Sequence, residues 1–279
     1  MQNISPGKIE TIIRETSAKY IIPRFQSLKD HEINTKSGPE DLVTAADIET
    51  EIALTDIFQK EFPGCAVMGE ESVSRGDISI EETFANDPEM LWVIDPVDGT
   101  WNFAHGSPIF ACMIALQYKG ETVMSWIYNV MKDEFAYAEK GQGAFYAGEK
   151  VSVSNPKPVE ECHGFAGRYY APKAYKQIWQ EKEQLVATVG GIRCAAHSYL
   201  RIARGIVDFH VYATTKPWDH LAGELLVKEA GGVVKTWDGK PYDPTDLNGG
   251  LLIAPNEGSW QDLHDLFLTE VLELRNAKK

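Results

Sequence analysis

The sequence predicts an α+β protein with helices and sheets stacked in layers. Three observations carry this. Short apolar runs in the first half alternate with hairpin turns, both ends carry amphipathic helical stretches, and the second half mixes single strands with helices instead of repeating a βαβ unit. The chain has 279 residues, 43% hydrophobic and 24% charged, enough to bury a sizeable core. Asp and Glu outnumber Lys and Arg by 41 to 27, a net charge of −14. No Lys/Arg cluster exceeds a pair, which argues against a phosphate-backbone binder. The longest apolar run, Ile109–Leu116, falls far short of the ~20 residues that span a bilayer. The first residues show no export signal. Cys65, Cys112, Cys162 and Cys194 lie too far apart for a disulfide framework or a CxxC metal knuckle. A soluble, cytoplasmic protein that binds neither nucleic acid nor membrane is expected.

Taken in order, the chain opens on a helix: Ser5 is the N-cap, Pro6 takes the first helical position, and Ile9, Ile12 and Ile13 follow at helical spacing. Residues 29–41 are polar and turn-rich and predict a mobile loop. A second helix starts at Thr44 or Asp47, with Ile48, Ile52, Phe58 and Phe62 inward, and stops at Pro63-Gly64. Strands are predicted at 65–68, 90–94, 110–118 and 122–129, the last two joined by a hairpin at Gly120. Gly141, Gly143 and Gly148 punctuate short strands around 144–146. Pro156 and Pro158 mark a boundary between an N-terminal α+β half, 1–150, and a C-terminal α/β half, 151–279. The second half predicts helices at 171–181, 196–203 and 218–230, the last with Leu221, Leu225 and Leu226 inward. It predicts strands at 209–211, 231–236 and 251–254, and a closing helix striped by Trp260, Leu263, Phe267 and Val271.

Chemistry concentrates in Asp95-Pro96-Val97-Asp98-Gly99-Thr100, directly after a strand. Two carboxylates at a strand end offer the hard oxygen ligands that Mg²⁺ takes. Pro96 stiffens the turn, Gly99 lets backbone approach a ligand, and a helix beginning at Thr100 would turn free N–H groups toward a phosphate. Gly69-Glu70-Glu71-Ser72 also follows a strand, and its adjacent glutamates make sense beside a cation. Asp219 opens an amphipathic helix, where it reads equally well as an N-cap. Asp47 reads equally well as a cap or early-turn acid. Each segment alone has a plain structural explanation. Together they make one oxygen-rich site if the fold brings them close.

The segments DLVTAAD (41–47), GEES (69–72), DPVDGTWNFAHGSP (95–108) and WDHLAGELLVKEAGG (218–232) resemble the inositol monophosphatase family of Mg²⁺-dependent, lithium-sensitive phosphatases, in the family's order and spacing. The resemblance implies a layered αβαβα sandwich of the inositol monophosphatase and fructose-1,6-bisphosphatase type. It implies a homodimer acting on a small phosphorylated polyol or sugar. Glu70, Asp95 and the Val97 carbonyl would hold a first Mg²⁺, and Asp95, Asp98 and Asp219 a second. A third would lean on Glu70, for two to three ions per site. By the same resemblance the N-terminal half carries most ligands, and the C-terminal half carries Asp219 and the substrate-reading segments. Thr100 and Asp47 would orient the attacking water and help remove its proton, with Glu70 completing the catalytic set. The N–H groups of Gly99 and Thr100 would receive the phosphate. Lys36, in Lys36-Ser37-Gly38-Pro39, matches a mobile-loop lysine that approaches metal and phosphate. The carboxylates cannot themselves hold a dianionic phosphate, so cations must invert the local sign.

Two rival phosphatase chemistries leave fragments. Asp95-Pro-Val-Asp98-Gly-Thr resembles the DxDGT loop of haloacid-dehalogenase-type phosphatases but has two residues between its aspartates. On an extended segment the extra residue points Asp98 away from Asp95. Cys162 and Arg168 have the C-x5-R spacing of a thiol phosphatase, but Tyr169 stands in place of the hydroxyl residue usual after the arginine. His105 is expected to be a structural hydrogen-bonder, and His220 to face away from the site. Family members acting on inositol phosphates commonly carry an acid several positions before the Trp-Asp pair. Here 210–218 holds none, and Tyr212 falls near its place. Arg193, with Arg168 and Lys216, makes the expected pocket more cationic. Lys36, Arg168, Arg193, Ala195 and Tyr212 are thus the candidate substrate residues. Inositol-1-phosphate is the leading substrate. Fructose-1,6-bisphosphate, a 3′-phosphoadenosine nucleotide and histidinol phosphate are alternatives, the last poorly suited to a pocket without an acid. A regulatory binding protein on the same fold is the non-enzymatic alternative.

Overall fold

The computed structural model describes residues 4–36, 38, 40–167 and 171–277. Ser5 and Pro6 start α1 (Pro6–Tyr20), which packs beside α2 (Ala45–Glu61). Between them the expected loop is in part a hairpin, β1 (Ile33–Thr35) with β2 (Leu42–Thr44), closed by Lys36 N–H donating to Asp41 O at 2.8 Å. The inward face of α2 also differs from the reading of its apolar residues. Ile52 is 49% exposed, and the buried stripe is Ala46, Asp47, Thr50, Glu51, Leu54 and Phe58. Hydrophobicity misplaces this face because three of its inward positions, Asp47, Thr50 and Glu51, are polar.

A seven-stranded sheet follows in the order β3 (Ala66–Gly69), β4 (Met90–Asp98), β5 (Ala111–Tyr118), β6 (Glu121–Asn129), β7 (Glu134–Glu139), β8 (Gly143–Tyr146), β9 (Glu149–Val151). It is an antiparallel meander except that β3 runs parallel to β4. The short helices α3 (Glu70–Ser74), α4 (Ile80–Ala85) and α5 (Thr100–Ala104) leave its strand ends. A five-stranded sheet, in the order β11-β10-β12-β14-β13, is formed by β10 (His163–Ala166), β11 (Thr188–Gly190), β12 (Phe209–Val211), β13 (Val233–Thr236) and β14 (Leu251–Ala254). The helices of this part are α6 (Lys173–Lys182), α7 (Ala195–Ala203), α8 (Pro217–Glu229), α9 (Glu257–Phe267) and α10 (Thr269–Asn276). The predicted closing helix is therefore two, bent at Leu268 so that Phe267, Leu268 and Val271 all enter the core.

Strand alternation stacks these elements in layers. On β4, Trp92 and Ile94 pack toward α1 and α2, whereas Leu91 and Val93 face α7 and α8. On β14, Leu251 and Ile253 join the α7–α8 layer from the other side, and Leu252 and Ala254 face α9. The result is an αβαβα sandwich. Its central helical layer is held between two sheets, and α7 and α8 both start beside the carboxylates at the end of β4. No helix among the described residues is long and apolar enough to cross a membrane.

Candidate active site

The site is set by an irregularity in β4. Pairing with β5 runs regularly to Asp95 opposite Met113, then resumes with Asp98 opposite Ala111, so β4 carries one extra residue. This bulge cancels the alternation that would point Asp95 and Asp98 to opposite faces. Both carboxylates line the same cavity, a correction to the strict extended-strand reading. Asp95 Oδ1 accepts from Val97 N–H at 3.1 Å. Asp98 is held from the start of α7: Ala195 N–H donates to Oδ1 at 3.1 Å, Ala196 N–H to Oδ2 at 2.7 Å, and the Cys194 thiol to Oδ2 at 2.9 Å. These donors only partly offset burial, which pushes Asp98 up to about 6.

Glu70 heads α3 at the end of β3, and Asp219 lies in the first turn of α8. Pro217 takes the first helical position and Lys216 the cap, so Asp219 is not the N-cap; it lines the cavity. Carboxylate oxygens of Glu70, Asp95 and Asp219 lie within 4.8 Å of one another. Burial and the Glu70 carboxylate push Asp219 up to about 8, and burial, Glu70 and Asp98 raise Asp95 well above the carboxylate range. An all-oxygen set, buried at Asp95 and half-buried at Glu70 and Asp219, in which charge is resisted fits a hard divalent cation. Lys36 reaches the edge of the cluster, donating to Glu70 Oε1 at 2.8 Å and Glu71 Oε1 at 2.6 Å. Burial would lower its pKa, but the two carboxylates win and raise it.

Behind Asp95, buried Asp47 closes a capping box on α2, its Oδ2 accepting from Thr44 N–H at 2.9 Å and Thr44 Oγ1 at 2.5 Å. Its Oδ1 faces the Thr100 hydroxyl at 3.0 Å, and that hydroxyl lies equally close to Val97 O. Burial pushes Asp47 up to about 6. Gly99 turns the chain into α5 with φ +92°, and a Cβ there would stand 2.9 Å from Ile109 O. Only glycine fits this turn without strain.

Of the remaining expected residues, Val97, Gly99, Arg193, Ala195 and Tyr212 line the cavity, as does Lys216. Arg193 holds the left-handed φ of +48°, lays its guanidinium over Trp101 at 4.7 Å and pairs with Glu40 at 3.3 Å. The Tyr212 hydroxyl donates to Ala195 O at 3.4 Å. Arg168 and Tyr169, and Ser37 and Pro39 of the Lys36 segment, lie outside the described residues. Cys162 is in the outer core, its thiol facing Pro158 O at 3.5 Å and pushed up to about 11 by burial, so it offers no ready thiolate. His105 Nδ1 lies 2.7 Å from Trp101 O, and its ring stacks on the Trp101 indole. His220, expected to face away, lines the cavity, with Nδ1 2.9 Å from the Tyr199 hydroxyl. Sequence reasoning missed Glu51, whose carboxylate accepts from Glu71 N–H and Ser72 N–H at 2.7 Å each and so anchors the start of α3. A second acid four residues after Asp47, on the same helix face, is the signal that marks it.

The sequence pattern of the inositol monophosphatase family matches residues 8–275. The chain belongs to this family. It is 35% identical over 219 residues to a fructose-1,6-bisphosphatase/inositol-1-monophosphatase of Thermotoga maritima, covering 77% of this chain and 79% of that protein. An inositol-1-monophosphatase of Bacillus subtilis is 32% identical over 266 residues, 94% of each chain. The structure of a Thermotoga maritima IMPase superposes with a TM-score of 0.82 at 29% identity, over 96% of this chain and 97% of that one. The protein is therefore a phosphoric monoester hydrolase, of a metal-dependent family, and its αβαβα sandwich is the family fold.

Proposed function

We propose that the protein is a Mg²⁺-dependent phosphatase of small polyol and sugar phosphomonoesters, with inositol-1-phosphate its leading substrate. The observation that carries this reading is the convergence of Glu70, Asp95 and Asp219 within 4.8 Å, beside a Thr100 hydroxyl backed by buried Asp47. Glu70, Asp95 and the Val97 carbonyl would hold one cation, Asp95, Asp98 and Asp219 a second, with Glu70 available to a third. Bound Mg²⁺ would neutralise the phosphate charge and acidify the attacking water. The chain's own residues supply the rest. Thr100, giving its proton to Asp47, keeps oxygen lone pairs with which to accept from a water. Asp47, pushed up to about 6 by burial, can take up the proton that this water sheds. Glu70 is assigned as both ligand and catalytic carboxylate. The N–H groups of Gly99 and Thr100 are assigned to the phosphate oxygens, and Lys36, Arg193, Ala195 and Tyr212 to the substrate side.

A second reading, a sugar bisphosphate, is favoured by Arg193 and Lys216, which line the same cavity and offer a second anionic group two cations. The name of the Thermotoga maritima relative, which couples both activities, supports keeping the two readings together. Phosphate release should be measured on inositol-1-phosphate, fructose-1,6-bisphosphate, histidinol phosphate and a 3′-phosphoadenosine nucleotide, with Mg²⁺ and with chelator. Turnover that requires Mg²⁺ and is fastest on one of the first two is expected. Full activity in chelator, or no turnover of any ester with Mg²⁺, overturns the reading.

A further inference from the structure

β12 is only three residues long, and its side chains divide the cavity from the outer core. Phe209 and Val211 enter that core, while His210 turns the other way and lines the cavity. His210 is 8% exposed, and its Nδ1 is fully enclosed with no hydrogen-bond partner among the described residues. An enclosed polar group without a partner costs stability, so its presence calls for a reason. The ring cannot turn away to find one. It lies flat against Tyr212, centroids 3.6 Å apart and planes at 26°, with Phe165 edge-on at 5.5 Å. Burial, reinforced by His220, keeps the imidazole neutral, so it offers one N–H donor and one bare nitrogen acceptor.

Because Nδ1 is enclosed, a ligand in the cavity meets Nε2, which presents a donor or an acceptor according to the tautomer; a hydroxyl, which both gives and takes a hydrogen bond, answers either. An anionic oxygen only accepts, and so answers only the tautomer that carries its proton on Nε2. The cavity's cations, Arg193 and Lys216, serve anions better. The placement is also apt. Tyr212, on which His210 stacks, donates to the carbonyl of Ala195, and the N–H of Ala195 holds Asp98. We propose that His210 is a specificity-determining residue that reads a hydroxyl on the alcohol part of the substrate. This rests on the phosphatase reading above.

The test uses the full chain with Mg²⁺. Wild type and His210→Phe are compared on inositol-1-phosphate, or whichever sugar phosphate the panel ranks first, and on p-nitrophenyl phosphate, whose alcohol carries no further hydroxyl. The melting temperature of both proteins is read without substrate. His210→Phe should raise KM for the polyol ester at least about tenfold more than for p-nitrophenyl phosphate, because only the former loses a bond. Its melting temperature should equal or exceed that of wild type, since an apolar ring of similar shape removes the enclosed polar atom. His210→Asn, which keeps a donor and an acceptor, should recover part of the discrimination. Equal losses on both esters, or a lower melting temperature with unchanged discrimination, would overturn the assignment and leave His210 a packing residue. Wild type inert toward both esters would instead overturn the phosphatase reading itself.

Discussion

Asp219 shows how a residue proposed as a metal ligand can be costly to the fold. Burial and the neighbouring Glu70 carboxylate push it up to about 8, and Lys216 and Lys36 offset this only in part. Neutralising the side chain should therefore separate stability from function. Asp219→Asn is expected to lower kcat/KM with Mg²⁺ by more than about a hundredfold, since it removes an assigned ligand outright. In chelator at pH 8 the same variant should melt above wild type, because a buried repulsion is gone. Parallel titrations of activity and melting temperature check both halves. A lower melting temperature in chelator would show that Asp219 supports the fold by contacts other than its charge.

At the level of elements, the site depends on how strand ends are anchored to helices. The start of α3, where Glu70 sits, is fastened by the Glu51 carboxylate from α2. That carboxylate passes so close to Gly69 that a Cβ there would stand 2.1 Å from its Cδ. Gly69→Ala should consequently displace Glu51, destabilise the protein by about 1–3 kcal/mol and weaken its Mg²⁺ response. Adding Glu51→Ala removes the clash, so the double variant should be more stable than the two single losses predict when summed; strict additivity in thermal melts would refute the coupling. This clamp also shows where sequence reading succeeds and stops. The strand ends bearing Asp95 and Glu70 were legible because apolar runs stop abruptly at acidic, glycine-containing turns. The phase of α2 was not, because Asp47, Thr50 and Glu51 occupy its buried face and leave Ile52 outside. Nor was the β4 bulge, which depends on pairing with β5 that no local pattern announces. Periodicity reads burial through hydrophobicity, and it fails where polar groups are buried for function.

On the scale of the whole molecule, the layered fold assembles acids from α3, β4, α2 and α8 into one cluster, and this should appear as an unusual dependence of stability on pH. In the unfolded chain these carboxylates titrate near 4. In the folded, metal-free protein burial and mutual repulsion push Asp47 and Asp98 up to about 6, and Asp219 and Glu71 up to about 8. Above about 4 the native state holds more protons than the unfolded chain, so the cluster's contribution to stability, complete below about 4, is lost as pH rises through about 6 and then about 8. Ordinary acidic proteins, whose carboxylates are paired or hydrogen-bonded, behave oppositely over the lower part of this range. Mg²⁺ binds the deprotonated cluster and must displace the retained protons, so its stabilising effect should grow over the same interval. In thermal melts the chelated protein should lose stability from pH 5 to pH 8, and the rise produced by saturating Mg²⁺ should be larger at pH 8. Asp219→Asn should flatten both trends. If the chelated wild type instead gains stability up to pH 8, the cluster is neutralised within the protein by its lysines, and the electrostatic case for a cation at this site fails.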